Sequence, residues 1–249
     1  MKKIKNICGI ALFSVIAFSL YAKDAESAEL AIENDESIVG YYTFDDDYEE
    51  NFTEVIDHSA SKMNVSTAAM DGSILDEGYD DMGLVFNGRD ELIILDNSVL
   101  SGKGFTFSAW VNPSQWRPWM RVLDIGNQVD DLWIGMDGIS GKLRMDIGGL
   151  KMRGNWITVT APLPPTEEWT HIAATIDGKV AKLYINGKLK QRIPCPITPE
   201  MLVKNVQGIF IGASNWAPDP LFNGVMDNIV IAKRALSAKE ITALFKGRK

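Results

Sequence analysis

The chain has 249 residues, 46% of them hydrophobic, and a formal net charge of −8. This length suits one large β domain or two small ones and is enough for a sizeable core. The acidic balance argues against nucleic acid or an anionic membrane surface as a partner.

Residues 1–22 have the pattern of a secretory signal peptide. Three lysines come first, an apolar run follows over residues 7–20, and Ala22 precedes a polar stretch. Cleavage after Ala22 would leave no membrane span and would shift the formal net charge from −8 to −11, because three lysines are lost. The alternative is an uncleaved N-terminal anchor, for which the run is short. We therefore expect an exported protein of the periplasm, the cell surface or the medium.

Cysteine usage fits an exported chain without an internal disulfide. Of the two cysteines, Cys8 lies in the apolar run, so Cys195 alone would remain after cleavage. Stability must then come from the core, helped in one interpretation by a metal. Cys195 lies between two prolines, where it is either a small apolar filler or a reactive thiol.

Most of the chain beyond the polar leader 23–37, which we expect to be mobile, has the pattern of short strands. Turn dipeptides separate many of them, and no helical period lies between them. The predicted strands cover residues 38–44, 64–70, 83–86, 91–95, 105–112, 121–125, 132–136, 142–147, 156–160, 208–212 and 225–232, besides those in 169–193. This pattern predicts one all-β domain over 38–249, an antiparallel jelly-roll sandwich of two sheets.

The stretch 169–190 carries the strongest strand signal. Apolar residues alternate along 172–176 and again along 181–185, which is typical of a sheet with one face on a core. Asp177-Gly178 and Asn186-Gly187 are dipeptides that favour type I′ hairpin turns. We therefore predict a meander of three antiparallel strands.

One short helix is predicted at the C-terminal end. Ser237 and Glu240 have the spacing of a capping box, and Ile241, Leu244 and Phe245 then form an apolar stripe.

Six segments, taken in order, carry a family resemblance. They are GYYTFD (40–45), GLVFNG (83–88), FTFSAWVNP (105–113), WTHIA (169–173), LYING (183–187) and FNGVMDNIVI (222–231). Together they resemble the laminin-G-like, concanavalin A-like jelly-roll modules of bacterial secreted proteins. The resemblance implies two antiparallel sheets packed face to face, one flat and one concave. It also implies binding of saccharides or proteins, often with calcium.

Two acidic residues are candidate ligands for a structural calcium ion. Asp45 ends the first predicted strand and Asp227 lies in the last long one, and both match acidic positions near the family's metal. Calcium prefers several carboxylate and carbonyl oxygens. The alternative is that residues 45–50 form a solvated acidic loop and that Asp227 caps a turn.

Aromatic residues on loops are candidate saccharide contacts, because rings offer apolar faces to sugars. Trp116 and Trp119 share a proline-punctuated loop just before Arg121, and Trp216 lies in a similar loop. Tyr184 lies on the non-core face of its strand, together with residues 171 and 182, where it would line the concave sheet. The alternative is that the loop tryptophans fold over the sandwich edge and close the core.

No motif for catalysis is recognised. The closely spaced carboxylates of jelly-roll glucanases, a nucleophile elbow and a zinc-binding pattern are all missing. The sequence therefore favours an exported, non-catalytic module that binds glycan. The alternatives are a module that binds another exported protein and, less favoured, a polysaccharide hydrolase or lyase.

Overall fold

The computed structural model describes residues 32–127, 130–149, 155–203 and 206–247. The predicted signal peptide, most of the leader 23–37 and the last two residues lie outside the described residues. In the described ranges, sixteen strands form two antiparallel sheets of eight strands each. The predicted two-sheet antiparallel sandwich is confirmed. None of the described helices is long and apolar enough to cross a membrane.

The first sheet contains the predicted meander and the long C-terminal strand. Its strands are β1 (Ile38–Tyr42), β4 (Leu75–Glu77), β5 (Met82–Asn87), β7 (Phe105–Pro113), β12 (Thr170–Ile176), β13 (Val180–Ile185), β14 (Lys188–Pro194) and β16 (Asn223–Ala232). Their spatial order is β14-β13-β12-β7-β16-β5-β4, and β1 pairs with β16 as well.

The second sheet contains the central part of the chain. Its strands are β2 (Glu54–Val55), β3 (Val65–Ala68), β6 (Leu92–Ile94), β8 (Arg121–Gly126), β9 (Asp130–Met136), β10 (Leu143–Gly149), β11 (Asn155–Ala161) and β15 (Gly208–Ile211). Their order is β11-β10-β9-β8-β15-β6-β3-β2, so four consecutive hairpin-linked strands occupy one side of this sheet.

The described helices are short. A single 3-10 turn covers Asn97–Leu100, helix α1 covers Pro199–Val203, and helix α2 covers Ala238–Lys246. The predicted capping box of α2 is confirmed, because the Ser237 backbone N–H donates to Glu240 and the Glu240 backbone N–H donates to the Ser237 hydroxyl.

A continuous apolar core fills the space between the sheets. Phe86, Phe107, Leu123, Ile134 and Ile172 are each at most 1% exposed. Burying side chains of this size contributes about 1.5–3 kcal/mol each, so the core supplies most of the folding free energy. Cys195 belongs to the same core, where burial raises the pKa of its thiol, as expected of a small apolar filler.

Four elements, one of them the 3-10 turn Asn97–Leu100, were not predicted because they are too short to show a period. Strand β2 has two residues, β4 has three and α1 has five. The first strand also ends earlier than predicted, at Tyr42, since Phe44 has a φ of 64°. A left-handed residue of this kind cannot continue a strand.

The meander has the predicted strands, but one of its two turns differs. Asn186 and Gly187 have φ values of 50° and 69°, as a two-residue type I′ turn requires. At the other corner Gly178 has a positive φ and Asp177 does not, and three residues separate β12 from β13. The type I′ prediction is therefore wrong there. The Asp177 carboxylate instead accepts the backbone N–H groups of Lys179 and Val180.

Helix α2 covers the outer face of the first sheet. Ile241 is fully buried in a second apolar cluster, which also contains Tyr41, Tyr184, Val230 and Leu236. All seven residues of β12 are consequently buried, on both faces, whereas alternation predicted one face on the core.

Removal of the Ile241 side chain should loosen this covering. We expect Ile241→Ala to lower the free energy of unfolding by about 2–5 kcal/mol, because it removes a fully buried aliphatic side chain. Urea denaturation measures the change. Lys239→Ala, on the exposed side of the same helix, is the control and should change stability by less than about 0.5 kcal/mol. Equal effects of the two substitutions would contradict the packing described.

Candidate functional site

The outer face of the first sheet is closed to ligands over its central strands. Tyr79 stacks on Trp110 at 3.4 Å between ring centroids, and Phe245 of α2 lies over Trp110 and His171 at 5.5 and 5.9 Å. Beneath them, His171 is 1% exposed and 2.8 Å from the Ser108 hydroxyl. Burial lowers the pKa of His171 to about 3, so its imidazole is neutral at physiological pH.

Tyr184 lies under this same covering. The sequence placed it on a solvent-facing surface, but its side chain is 1% exposed and packs in the cluster beneath α2. The structure contradicts the prediction that Tyr184 lines an open face, because the helix covers the strand face on which it lies.

The outer face of the second sheet, in contrast, holds a group of polar and aromatic residues that we name the outer-face cluster. It consists of Arg121, Asp124, Trp133, Arg144 and Asp146. The strand register aligns them, because Asp124 pairs with Trp133 and Trp133 with Asp146 across β8, β9 and β10. Core residues such as Leu123, Ile134 and Met145 alternate with them on the opposite face.

A glycine makes the cluster possible. Gly135 lies between Arg121 and Arg144 in the register, and a Cβ there would come within 2.2 Å of the Met120 carbonyl oxygen. Both guanidinium groups lie over the ring of Trp133. The distance from the guanidinium carbon to the ring centroid is 3.7 Å for Arg121 and 5.3 Å for Arg144. Such cation–π contacts strengthen when they are removed from water.

Each arginine of the cluster is held by two carboxylates. Arg121 lies 3.4 Å from Asp124 and 3.0 Å from Asp219, and it donates to the Trp119 carbonyl oxygen. Its polar groups are therefore largely committed within the protein.

Arg144 is held in the same way on the other side of Trp133. It lies 2.7 Å from Asp146 and 3.6 Å from Asp137. Thr158, the neighbour of Asp146 on β11, donates its hydroxyl to the same carboxylate.

Burial disfavours the ionised forms of this network. It raises the pKa of Asp124 to about 6, although Asn215, Arg121 and Ser214 stabilise the carboxylate. It also raises the pKa of Asp219 and lowers that of Arg121. Since Asp124 is 2% exposed and Arg121 is 7% exposed, the network is a packed floor and not an open polar surface.

Tryptophans lie around this floor. Trp119, with a φ of 68°, is partly buried and meets Trp133 edge-on at 6.3 Å between ring centroids. Trp216 is 50% exposed and follows Ser214 and Asn215, both of which donate to Asp124. The predicted residues Trp119, Arg121 and Trp216 therefore belong to one region of the second sheet.

Sequence reasoning missed a second exposed tryptophan on this face. Trp156 is 43% exposed and pairs with Gly148, which in turn pairs with Asp131. It shares its strand face with Thr158. The signal was available, because Ile157 and Val159 alternate with these residues, but the register that brings Trp156 beside the cluster is not visible in one strand.

Trp116 lies elsewhere, although it is only three residues from Trp119. Its indole N–H donates to the Pro164 carbonyl oxygen at 2.8 Å, and its ring packs edge-on against Phe222. It is half-buried against the core between the sheets. This placement fits the alternative in which a loop tryptophan closes the sandwich edge.

Asp45 and Asp227 do approach each other, at the other sheet. Asp227 is fully buried and accepts the Asp80 backbone N–H, while Asp45 accepts that of Met82. Burial, together with the nearby Asp45 carboxylate, raises the pKa of Asp227 to about 8.

The chemistry of this carboxylate pair fits a hard cation in part. Two carboxylates in a buried setting favour a divalent ion, but calcium takes six to eight oxygens. Across the described ranges, no group of three or more His, Cys, Asp or Glu side chains is arranged to hold a metal. Main-chain carbonyl groups and water would have to complete such a site.

Comparison with solved structures identifies similar folds. Domain 4 of AbnA, a GH43 extracellular arabinanase from Geobacillus stearothermophilus, in complex with arabinotriose, has a TM-score of 0.62 and 23% identity, covering 84% of this chain and 98% of that one.

Toxin binding domains are also similar. A structure of botulinum neurotoxin type C has a TM-score of 0.62 and 17% identity and covers 87% of this chain. Cell entry of that toxin depends on interaction with two ganglioside molecules. The binding domain of botulinum neurotoxin DC, in complex with rat synaptotagmin II, has a TM-score of 0.60 and 16% identity and covers 84%. This chain spans about half of each toxin chain, 52% and 51%.

A comparison with curated protein sequences found no match. A family model of the laminin G type, described as the concanavalin A-like lectin/glucanases superfamily, matches residues 87–242. This range includes eleven complete strands, β6 to β16, the last residue of β5, and both α helices apart from the end of α2. The chain therefore belongs to the concanavalin A-like lectin/glucanases superfamily.

Proposed function

We propose that this protein is an exported, non-catalytic module that binds carbohydrate on the outer face of its second sheet. The observation that carries the proposal is the presence of two exposed tryptophans, Trp156 and Trp216, beside the packed polar floor of the outer-face cluster. Exposed aromatic rings offer apolar faces to sugars, and a preorganised polar floor supplies hydrogen bonds at fixed positions.

The size of the surface suits an oligosaccharide. Trp156 lies on β11 and Trp216 follows β15, and these strands are four positions apart in the sheet order. Neighbouring strands are about 4.8 Å apart, so the two strands are about 19 Å apart. The arabinanase domain, which has this fold, holds arabinotriose, and this likeness supports the choice of a glycan ligand.

The state of the carboxylates supports binding more than hydrolysis. Asp124 accepts hydrogen bonds from Ser214 and Asn215, and Asp146 accepts them from Arg144 and Thr158. A general acid must deliver a proton to the leaving group, and a nucleophile must reach the sugar. Carboxylates that are held inside a packed network are poorly placed for either step.

A protein ligand is the second candidate. The botulinum neurotoxin DC binding domain, about half of which this chain matches, is in complex with synaptotagmin, and this likeness supports a protein partner. Exposed tryptophans are common at the centre of such interfaces. A pull-down from exported proteins separates this candidate from the first. Release of reducing sugar from a polysaccharide panel would indicate a hydrolase instead.

We also propose that Asp45 and Asp227 contribute to a structural calcium site, completed by main-chain oxygens and water. The buried pair of like charges supports this, since a divalent cation would compensate both carboxylates. The site lies at the first sheet, so calcium would stabilise the fold without contacting the proposed glycan.

Substitution of Trp156 tests the glycan site. We expect Trp156→Ala to weaken binding of the best oligosaccharide about 10-fold, which corresponds to about 1.4 kcal/mol, because one stacking surface is lost. Isothermal titration calorimetry with a panel of oligosaccharides measures the affinity. Leu189→Ala, on the first sheet and similarly exposed at 46%, is the matched control and should leave the affinity unchanged. Binding that survives Trp156→Ala and Trp216→Ala would place the ligand elsewhere.

The pH dependence of stability tests the setting of Asp227. An aspartate titrates near about pH 3.9 in the unfolded chain, whereas its pKa is about 8 in the folded protein. Between these values the folded state holds a proton that the unfolded state releases, so stability should fall as the pH rises. Glu91 and Asp124, whose pKa values burial raises to about 7 and about 6, act in the same direction.

Urea unfolding in the presence of a chelator, from pH 5 to pH 8, measures this slope. We expect Asp227→Asn to make the slope shallower, because a carboxylate with a strongly raised pKa no longer titrates. Asp47→Asn is the control, because it removes an exposed carboxylate of the acidic loop 45–50, and it should leave the slope unchanged. Identical slopes in all three proteins would show that Asp227 is not protonated in the fold.

Calcium should oppose the loss of stability at high pH, because it binds the ionised carboxylate. We expect a higher melting temperature in calcium than in chelator at pH 8, a smaller difference at pH 5, and no difference in Asp227→Asn. Differential scanning fluorimetry measures all three. A wild-type melting temperature that is the same with calcium and with chelator at pH 8 would rule out the site.

A further inference from the structure

The charges of the outer-face cluster indicate which saccharides it would accept. Arg121 and Arg144 are its cations, and Asp124, Asp137, Asp146 and Asp219 surround them at 2.7–3.6 Å. Asp131 is a fifth carboxylate, close enough to act on the charges of both Arg121 and Asp124. Among the described residues of this surface, five carboxylates against two guanidinium groups leave a formal excess of three negative charges.

The arginines have little capacity left for an anion. The two terminal nitrogens of Arg121 contact Asp219 and the Trp119 carbonyl oxygen, and its Nε lies 3.4 Å from Asp124 in an ion pair without a hydrogen bond. The Nε atoms of both arginines are buried, so an incoming anion cannot reach them without a rearrangement. Arg144 uses both terminal nitrogens, on Asp137 and on Asp146 and Thr158. A carboxylate or sulfate on a ligand would have to displace one of these partners, leaving a buried charge uncompensated.

Resting on the proposed glycan function, we infer that the cluster selects saccharides that carry no anionic group. Hydroxyl-rich neutral sugars stack on Trp156 or Trp216 and hydrogen-bond with groups at the surface of the cluster, such as the partly exposed Thr158 hydroxyl, without adding negative charge. Uronic acid, sialylated and sulfated glycans are repelled by the excess of carboxylates. The arginines position these carboxylates and bind no acidic sugar themselves.

A panel that varies only the charge of the ligand tests this selectivity. The neutral set contains arabino-, xylo-, manno- and cello-oligosaccharides and fully methyl-esterified oligogalacturonides. The acidic set contains the de-esterified oligogalacturonides, alginate oligosaccharides and sialylated and sulfated oligosaccharides. Calorimetry with the purified protein at pH 7 gives each Kd at low and at high sodium chloride.

We expect at least one neutral ligand to bind about 10-fold more tightly than any acidic one, with a Kd that changes less than about 2-fold with salt. An acidic ligand that binds as tightly as the best neutral one, and more weakly at high salt, would overturn the inference while leaving the proposed function standing. If no glycan of either set binds, the proposed function itself fails, and the inference fails with it.

A variant that removes two negative charges gives the inference a positive test. Asp137→Asn with Asp219→Asn removes the outer partners of Arg144 and Arg121, so both guanidinium groups become available. We expect this double variant to gain affinity for an acidic oligosaccharide by about 10-fold. Asp71→Asn with Asp76→Asn makes the same change in net charge at exposed positions away from the cluster and should gain nothing.

The folding of the double variant is checked by its melting temperature and circular dichroism. If it does not fold, the single variant Asp219→Asn should show a gain of the same sign. A folded variant with no gain, or an equal gain in the control pair, would show that the carboxylates around the arginines do not set the selectivity.

Discussion

The packing of α2 on the first sheet determines which surface of the sandwich is open to a ligand. A two-sheet sandwich has two outer faces, and both carry residues that alternate with the core. Ile241 and Phe245 of α2, with Tyr79 from the loop before β5, cover the central strands of the first sheet. His171 and Tyr184, which the sequence placed on an open face, are consequently buried beneath this covering. The polar outer face of the second sheet is left as the candidate site.

The cluster on the second sheet is a poor source of folding stability. Ion pairs removed from water seldom repay their desolvation, and here burial shifts the pKa of Asp124 upward and that of Arg121 downward, each against its ionised form. The core between the sheets supplies the stability that offsets this cost. Charged groups that violate local stability rules are expected at functional sites, where fixed positions matter more than net stabilisation.

The fold was predictable from the sequence because its signals are local. Alternation over two residues, the Asn186-Gly187 turn and the Ser237–Glu240 capping box each act within a few positions, and the structure has these features. The candidate site was predictable only in part. Trp116 and Trp119 share one loop, yet one ring packs on Phe222 and the other meets Trp133.

The remaining parts of the site depend on pairing between distant segments. Trp133 becomes the centre of the cluster because the register places Gly135 between Arg121 and Arg144, which lie 23 positions apart in the numbering. Trp156 reaches the same face through its register with Gly148. Alternation can say that a residue points away from the core. It cannot say whether a helix from the other end of the chain will cover it.

Asp227 links an irregularity in β16 to the side chains that cover the first sheet. The pairing of β16 with β7 shifts between Asp227 and Val230, and Asn228 adopts a φ of 48°. This irregularity brings the Asp227 carboxylate to the backbone of the loop that carries Tyr79, whose ring lies on Trp110. A proton or cation at Asp227 would therefore act on the covering of the first sheet. Its effect on a glycan bound at the second sheet would pass through the stability of the sandwich, and not through contact with the sugar.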